Sequence, residues 1–77
     1  MPNGILNWTF RDVENFLKEH SFYLNHITGS HYFYIGHVDG VMRQVCLPMH
    51  GSLALKPRTM NGIIAQSGIS KKKWFDK

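Results

Sequence analysis

The first strong pattern along the chain is a helical one. Apolar side chains recur every three or four residues after Thr9, and polar side chains occupy the positions between them. The apolar positions are Phe10, Val13, Phe16 and Leu17, followed by His20. Thr9 is a good N-cap, and the Asp12 carboxylate can accept a hydrogen bond from its N–H group in a capping box. The pattern predicts a helix that begins after Thr9, ends at Ser21 and buries one face.

A β-rich run follows the helix and ends at a turn signal. It covers residues 22–28, and because side chains alternate along a strand, we expect Phe22, Leu24 and His26 to share one face. The Gly-Ser pair at positions 29–30 is typical of a tight turn between two hairpin strands. The sequence therefore predicts a first β-hairpin around this pair.

Two further strands are predicted on either side of an Asp-Gly turn signal at positions 39–40. The second strand runs from His31 to about Gly36, and the third covers residues 42–47. A two-residue Asp-Gly turn and a longer loop that begins at His37 give registers of opposite parity. The sequence therefore leaves open which side chains of this second hairpin share a face.

A second helix is predicted beyond the third strand. Pro48 ends that strand because it has no N–H group for the ladder, and Pro57 fits the first turn of a helix. The apolar face of this helix consists of Met60, Ile63 and Ile64. Gly62 costs helix stability, which suggests close packing on the sheet, and a Ser-Gly pair at 67–68 ends the helix. Ser70 then caps a short tail helix.

The order of elements predicts an α+β fold. Strands joined by hairpins are antiparallel, and the two longer helices are the available cover for one face of the sheet. We expect an α-β-β-β-α two-layer sandwich, with a three-stranded antiparallel sheet and the helices on one face. The chain, residues 1–77, is predicted to be a single domain with a core at about 8–70 and a tail helix at 71–77.

The charge balance favours a polyanionic partner. Nine Lys and Arg residues against five Asp and Glu give a formal charge of +4, which is typical of domains that bind nucleic acid. The single cysteine, Cys46, excludes a disulfide within the chain and suits a reducing compartment. No apolar run approaches the roughly 20 residues of a membrane span, and no signal peptide pattern is present. The sequence predicts a cytoplasmic protein without membrane contact.

His31 is the strongest candidate for chemistry. It leaves the Gly-Ser turn at a strand end, and histidine can exchange a proton near neutral pH. His50 follows the third strand, whose end lies beside the start of the antiparallel second strand, so we expect His31 and His50 to be neighbours. Two histidines could deprotonate a ribose 2′-OH and protonate the leaving oxygen of a phosphodiester. On the residues alone, a structural role stays open for His31 and is favoured for His50.

A metal site is not favoured by the sequence. Four histidines lie in the strand region, namely His26, His31, His37 and His50. They form no i, i+4 pair on a helix, and no carboxylate or cysteine spacing accompanies them. The carboxylates also lack the pairing of a glycosidase-type hydrolase. The sequence predicts neither a metal nor a small-molecule cofactor.

Two groups of basic residues are candidates for RNA binding. Lys56 and Arg58 flank the proline at the start of the second helix, where free N–H groups favour phosphate. The second group is Lys71, Lys72 and Lys73, which precede Trp74 and Phe75. Such a lysine run is equally typical of a solvated face. Tyr23, Tyr32 and Tyr34 can stack on bases if they lie on the open face of the sheet, or else be ordinary half-buried strand residues.

Several short motifs together resemble one protein family. In chain order they are Phe22, Gly29-Ser30-His31, Pro48-Met49-His50, Lys56-Pro57-Arg58-Thr59-Met60 with Ile63-Ile64, and Gln66-Ser67-Gly68-Ile69-Ser70. In this order and spacing they resemble the HicA toxins of bacterial toxin–antitoxin pairs, over about Trp8 to Phe75. One departure is Ser21, where the family usually has glycine.

The resemblance implies a fold, an activity and a partner. The fold is that of a double-stranded-RNA-binding domain, in agreement with the element order. The activity is a ribosome-independent mRNA endonuclease that needs neither metal nor cofactor and is neutralised by a HicB-like antitoxin. The catalytic histidine of the family follows the Gly-Ser turn, so the match assigns that role to His31. The resemblance establishes no role in chemistry for His50, which stays an auxiliary candidate together with Ser30.

Two other functions remain compatible with the sequence. One is a non-catalytic RNA-binding module of the same fold, which would bind RNA in a salt-sensitive way without cleaving it. The other is a protein that mainly docks a partner through the open sheet face and the aromatic pair Trp74-Phe75. Lethality that a neighbouring reading frame suppresses is expected of the toxin alone.

Overall fold

The computed structural model describes residues 4–49 and 51–75. Its elements are α1 (Phe10–Glu19), β1 (Tyr23–Thr28), β2 (His31–Val38), β3 (Val41–Pro48), α2 (Pro57–Ser67) and α3 (Lys71–Phe75). The strands form one antiparallel sheet in the order β1-β2-β3, which confirms the predicted α+β arrangement. Within the described residues, no helix has the length and apolar character that crossing a membrane requires.

The start of α1 is fixed by the predicted capping box. The Thr9 hydroxyl accepts a hydrogen bond from the Asp12 N–H at 3.3 Å, and the Asp12 carboxylate accepts one from the Thr9 N–H at 3.0 Å. The buried face consists of Phe10, Val13, Phe16 and Leu17, as the spacing indicates. Ser21 takes a positive φ of 67° directly after the helix, and the chain turns there into β1.

The first hairpin has the predicted two-residue turn. Thr28 pairs with His31, which leaves Gly29 and Ser30 as the loop. The φ angle is positive at Gly29 (59°) but not at Ser30. A type II′ turn has this pattern, and it requires glycine at the first central position.

The expected common face of Phe22, Leu24 and His26 is wrong. The register shifts between Leu24 and His26, so these two residues pair with consecutive residues of β2 instead of alternate ones. Asn25 is the extra residue of a β-bulge, which reverses the alternation of side chains along the strand. Phe22 is buried in the core, whereas His26 points to the opposite side of the sheet.

The second hairpin uses the short Asp-Gly turn. Val38 pairs with Val41, and both loop residues have positive φ, 53° at Asp39 and 79° at Gly40. These are the angles of a type I′ turn, whose twist matches that of the strands. β2 therefore continues to Val38, beyond the predicted end at Gly36, and the open question of register is resolved.

Two of the three tyrosines face the helices, not the open side of the sheet. Tyr34 is fully buried, and its hydroxyl donates a hydrogen bond to the Glu14 carboxylate at 2.6 Å. The ring of Tyr32 packs edge-to-face on Phe10, with centroids 5.0 Å apart. Tyr23 lies on the open side and is 56% exposed. A base-stacking role is thus excluded for Tyr34 and is compatible with Tyr23.

α2 covers the sheet with the predicted apolar face. Its buried apolar side chains are Met60, Ile63 and Ile64. Pro57 occupies the first turn, and Gly68 ends the helix with a positive φ of 71°. The expectation that Gly62 permits close packing on the sheet is wrong, because a Cβ atom there would meet nothing within 4 Å. Gly62 faces solvent instead.

The short helix α3 is attached to the core by Trp74. Ser70 caps the helix, since its hydroxyl accepts from the Lys73 N–H at 3.4 Å. The Trp74 side chain is buried, stacks on Phe16 with centroids 3.8 Å apart, and donates its indole N–H to the Ser67 hydroxyl at 3.2 Å. Trp74 is therefore a core residue, and the expectation that it contacts a partner is wrong.

Candidate active site at the turn end of the sheet

His31 is the first residue of β2 and is exposed to solvent. It pairs with Thr28 on one side and with Pro48 on the other. Because side chains alternate along β2, His31 and Phe33 share the face opposite to the helices, which we call the open face. We use the name turn end for the end of the sheet that holds His31 and the first hairpin turn, Gly29-Ser30. The second hairpin turn, Asp39-Gly40, lies at the opposite end of β2.

The segment after β3 joins the turn end through the main chain. The Met49 N–H donates a hydrogen bond to the carbonyl oxygen of Ser30 at 2.8 Å. Ser30 is exposed in the turn directly before His31. His50 lies outside the described residues, so its expected proximity to His31 stays a prediction.

α1 begins at the turn end and runs along β2 toward the other end. Phe10, in its first turn, packs on Tyr32 near the start of β2. Glu14, one turn later, binds the hydroxyl of Tyr34. These two contacts follow each other in the same order along the helix and along the strand. The N-terminus of α1 therefore points toward the His31 end of the sheet.

α2 also begins at the turn end. Near its C-terminus, the side chain of Gln66 accepts a hydrogen bond from the Cys46 N–H at 2.9 Å, and Gly68 lies against the guanidinium group of Arg43. The helix thus runs antiparallel to β3, and its N-terminus lies beyond the end of that strand. A bridge between Thr9 and Ala54 ties the starts of the two helices together.

The turn end collects positive charge from two sources. The N-termini of both helices carry the positive ends of their dipoles. Lys56 and Arg58 lie at the start of α2, and Arg11 lies in the first turn of α1; all three are exposed. A cation near the N-terminus destabilises a helix, because it is repelled by the positive end of the dipole. The basic residues at these positions are therefore better explained by binding of an anion than by helix stability.

Arg11 is the residue that the sequence reasoning missed. It lines a concavity of about 390 Å³ together with Thr9, Phe10, Met49, Gly51 and Ser52. The available signal was a basic residue directly after an N-cap, where acidic residues are normally preferred. Arg11 joins Lys56 and Arg58 as a candidate for phosphate contact.

The lysine run lies at the other end of the molecule. Lys73 lines a second concavity of about 350 Å³ with Val38 and Asp39, at the second hairpin turn. β2 spans eight residues between its ends, which at about 3.3 Å per residue amounts to more than roughly 20 Å. The structure therefore separates Lys73 from His31, although the sequence analysis assigned both to RNA.

The other histidines in the described residues lie in three different environments. His20 caps α1 and stacks on Phe16, with centroids 4.1 Å apart. His37 is exposed near the far end of β2, and His26 stacks on Phe33 on the open face. In residues 4–49 and 51–75, no group of three His, Cys, Asp or Glu side chains could hold a metal ion.

Comparison with known families agrees with this geometry. The family model described as the HicA toxin of bacterial toxin–antitoxin systems matches residues 10–69. The chain belongs to the HicA toxin family. The matched segment of this HicA protein includes His31, the loop after β3 and all of α2. No curated protein and no solved structure gives a significant match.

Family membership fixes the general function. HicA proteins are the toxins of toxin–antitoxin systems, and they are known as RNases. The resemblance that the sequence motifs indicated is thereby confirmed.

Proposed function

We propose that this HicA protein is an endoribonuclease that cleaves mRNA with His31 as its catalytic histidine and needs no metal ion. The observation that carries the proposal is the position of His31. Its side chain is exposed on the end of the sheet toward which the N-termini of α1 and α2 both point. A phosphodiester bound there would have a proton acceptor and a positive electrostatic field at the same end of the sheet.

The proposed reaction is attack by the ribose 2′-OH on the adjacent phosphorus. His31 accepts the proton of the 2′-OH as the O2′–P bond forms, and the P–O5′ bond breaks. The leaving O5′ takes a proton from a second donor, and the products are a 2′,3′-cyclic phosphate and a 5′-OH. A metal ion is not required to generate the nucleophile, because the nucleophile belongs to the substrate.

The RNA backbone is held by the cations of the turn end. Lys56 and Arg58, together with Arg11, contact the phosphates next to the cleaved bond, a contribution that is largely independent of base sequence. The lysines of α3, which are Lys71, Lys72 and Lys73, contact RNA farther along the strand, away from His31. Ser30 and His50 are auxiliary candidates for contact with the reacting group.

The partner of the toxin is a HicB-like antitoxin in the cytoplasm. An antitoxin neutralises a ribonuclease most directly when it covers the catalytic residue, so we propose that it binds over the turn end. The proposal predicts that the antitoxin protects His31 from chemical modification. Co-expression of the neighbouring reading frame then restores growth.

The decisive experiment replaces His31. His31→Ala removes the proton acceptor, and we expect the cleavage rate of a fluorescent single-stranded RNA in EDTA to fall by about 10²–10⁴-fold. Growth arrest on expression should disappear with it. His37→Ala is the matched control, because His37 is also an exposed histidine of β2 but lies near its other end.

The outcomes separate the proposal from its alternatives. If His31→Ala cleaves RNA at the wild-type rate, the assignment of the catalytic residue is wrong. If the wild-type protein binds RNA with strong salt dependence but produces no cleavage products, it is a binding module. The melting temperatures of both variants should match that of the wild type, because both side chains are exposed.

A further inference from the structure

A second histidine shares the open face with His31. His26 on β1 pairs with Phe33, and Thr28 on β1 pairs with His31. His26 and His31 are therefore diagonal neighbours across two antiparallel strands. The Cα atoms of such a pair of residues lie roughly 7–8 Å apart. Both side chains are exposed. A phosphodiester seated between them could touch both imidazole rings, because its attacking and leaving oxygens are on opposite sides of phosphorus.

The bulge in β1 sends His26 to this face. If β1 continued through Asn25 as a regular strand, without the bulge, the alternation of side chains would turn His26 toward the helix layer. Bulges are over-represented on edge strands such as β1 and next to active sites, where they re-aim a side chain. The bulge thus provides a local reason why two histidines meet on one face of the sheet.

The orientation of the His26 ring is fixed by two neighbours. It stacks on Phe33 with ring centroids 4.3 Å apart and planes 8° from parallel. The side-chain amide of Asn25 lies 2.9 Å from Nδ1 of His26. Nδ1 is thereby engaged, and Nε2 is the nitrogen available to a ligand. A carboxamide suits both protonation states, because it presents its NH₂ group to a neutral ring and, after rotation, its oxygen to an imidazolium.

We propose that His26 is the general acid of the reaction, with His31 as the base. As the P–O5′ bond breaks, His26 gives the proton on Nε2 to O5′, while His31 holds the proton taken from the 2′-OH. The two histidines exchange protonation states in one turnover, and a proton passing through solvent resets them. This assignment rests on the proposed function and supplies the second donor that the proposed reaction needs.

The test uses a leaving group that needs no acid. In an RNA with sulfur in place of O5′ at the cleaved bond, the leaving group is a thiolate, which departs without protonation because a thiol is far more acidic than an alcohol. We expect His26→Ala to lower the cleavage rate of ordinary RNA by about 10²–10⁴-fold and to cleave the sulfur substrate at nearly the wild-type rate. His31→Ala should be slow on both substrates, because the 2′-OH still needs a base.

Each outcome decides the assignment. Normal cleavage of ordinary RNA by His26→Ala refutes it, and so does an equal loss on both substrates, which indicates a positioning role. If His50→Ala, and not His26→Ala, is slow on ordinary RNA but cleaves the sulfur substrate at nearly the wild-type rate, the general acid is His50. That result also refutes the assignment of His26. If the wild-type protein cleaves neither substrate, the proposed ribonuclease function fails as well; if it cleaves both, only the role of His26 is at stake.

Discussion

At the scale of single residues, two glycines show how differently one residue type is used. A Cβ atom at Gly36 would lie 2.6 Å from the ring of Phe22, whereas one at Gly62 would meet nothing within 4 Å. Gly36 is therefore needed for the packing of Phe22 on the sheet. Gly62 has no comparable role and only lowers the helix propensity of α2. The sequence alone favours Gly62 for the packing role, because that glycine interrupts a helix.

This contrast predicts stability changes of opposite sign. Gly36→Ala should lower the free energy of unfolding by about 1–3 kcal/mol through overpacking against Phe22. Gly62→Ala should raise it by roughly 0.5–1 kcal/mol, because alanine is the better helix former at an exposed position. Urea denaturation of the two variants and the wild type provides the measurement. A stabilised Gly36→Ala variant would contradict the close contact with Phe22.

At the scale of elements, one hydrogen bond joins α1 to the central strand. The Tyr34 hydroxyl donates to Glu14 in a buried position. Burial, and then the adjacent Glu14 carboxylate, raise the pKa of Tyr34 well above its usual value. The folded protein therefore keeps this hydroxyl protonated at a pH where an unfolded chain would ionise it. The bond holds the helix in register with the strand that begins at His31.

The raised pKa predicts a loss of stability at alkaline pH. Above the usual tyrosine pKa of 10.0, the unfolded chain releases a proton that the folded protein retains. The free energy of unfolding should therefore decrease with pH by up to about 1.4 kcal/mol per pH unit from this group. In Tyr34→Phe this decrease should be absent, although the variant is about 1 kcal/mol less stable at neutral pH.

The matched control is Tyr23→Phe, because Tyr23 is 56% exposed on the open face. Its stability should follow the wild-type pH dependence. Denaturation curves between pH 8 and 11 distinguish the variants. Identical slopes for the wild type and Tyr34→Phe would refute the proposed linkage.

At the scale of the whole molecule, both longer helices direct their positive ends to one end of the sheet. α1 begins beside Tyr32, and α2 begins beyond the end of β3. The basic side chains are nevertheless divided between the two ends, since Lys73 lies by the second hairpin turn. Cations at the turn end should therefore affect catalysis, whereas those of α3 should contribute mainly to binding.

This division predicts different effects of two double variants with the same loss of charge. Lys56→Ala/Arg58→Ala should reduce kcat/KM for RNA cleavage more than Lys71→Ala/Lys72→Ala does. Each lost phosphate contact should also lower the slope of log binding constant against log salt by about 0.7 for single-stranded RNA. Binding titrations of the corresponding His31→Ala variants at several salt concentrations measure that slope. Equal effects on kcat/KM would contradict the division.

The sequence by itself determined the elements and the family. The capping box at Thr9, the glycine turn before His31, and Gly68 at the end of α2 are local signals, because each depends on residues within one turn of chain. Local signals of this kind can be recognised without a structure. The motifs around His31 likewise identified the HicA family correctly.

Only the tertiary structure decided which side chains meet. The bulge at Asn25, the register of the second hairpin and the inward orientation of Tyr34 depend on pairing between distant segments, and a shift of one residue reverses every face. The same pairing brought His26 to the side of His31 and separated Lys73 from it. These relations are set by cross-strand contacts and helix packing. Both join residues that are far apart in the sequence, so no short segment of the chain determines them.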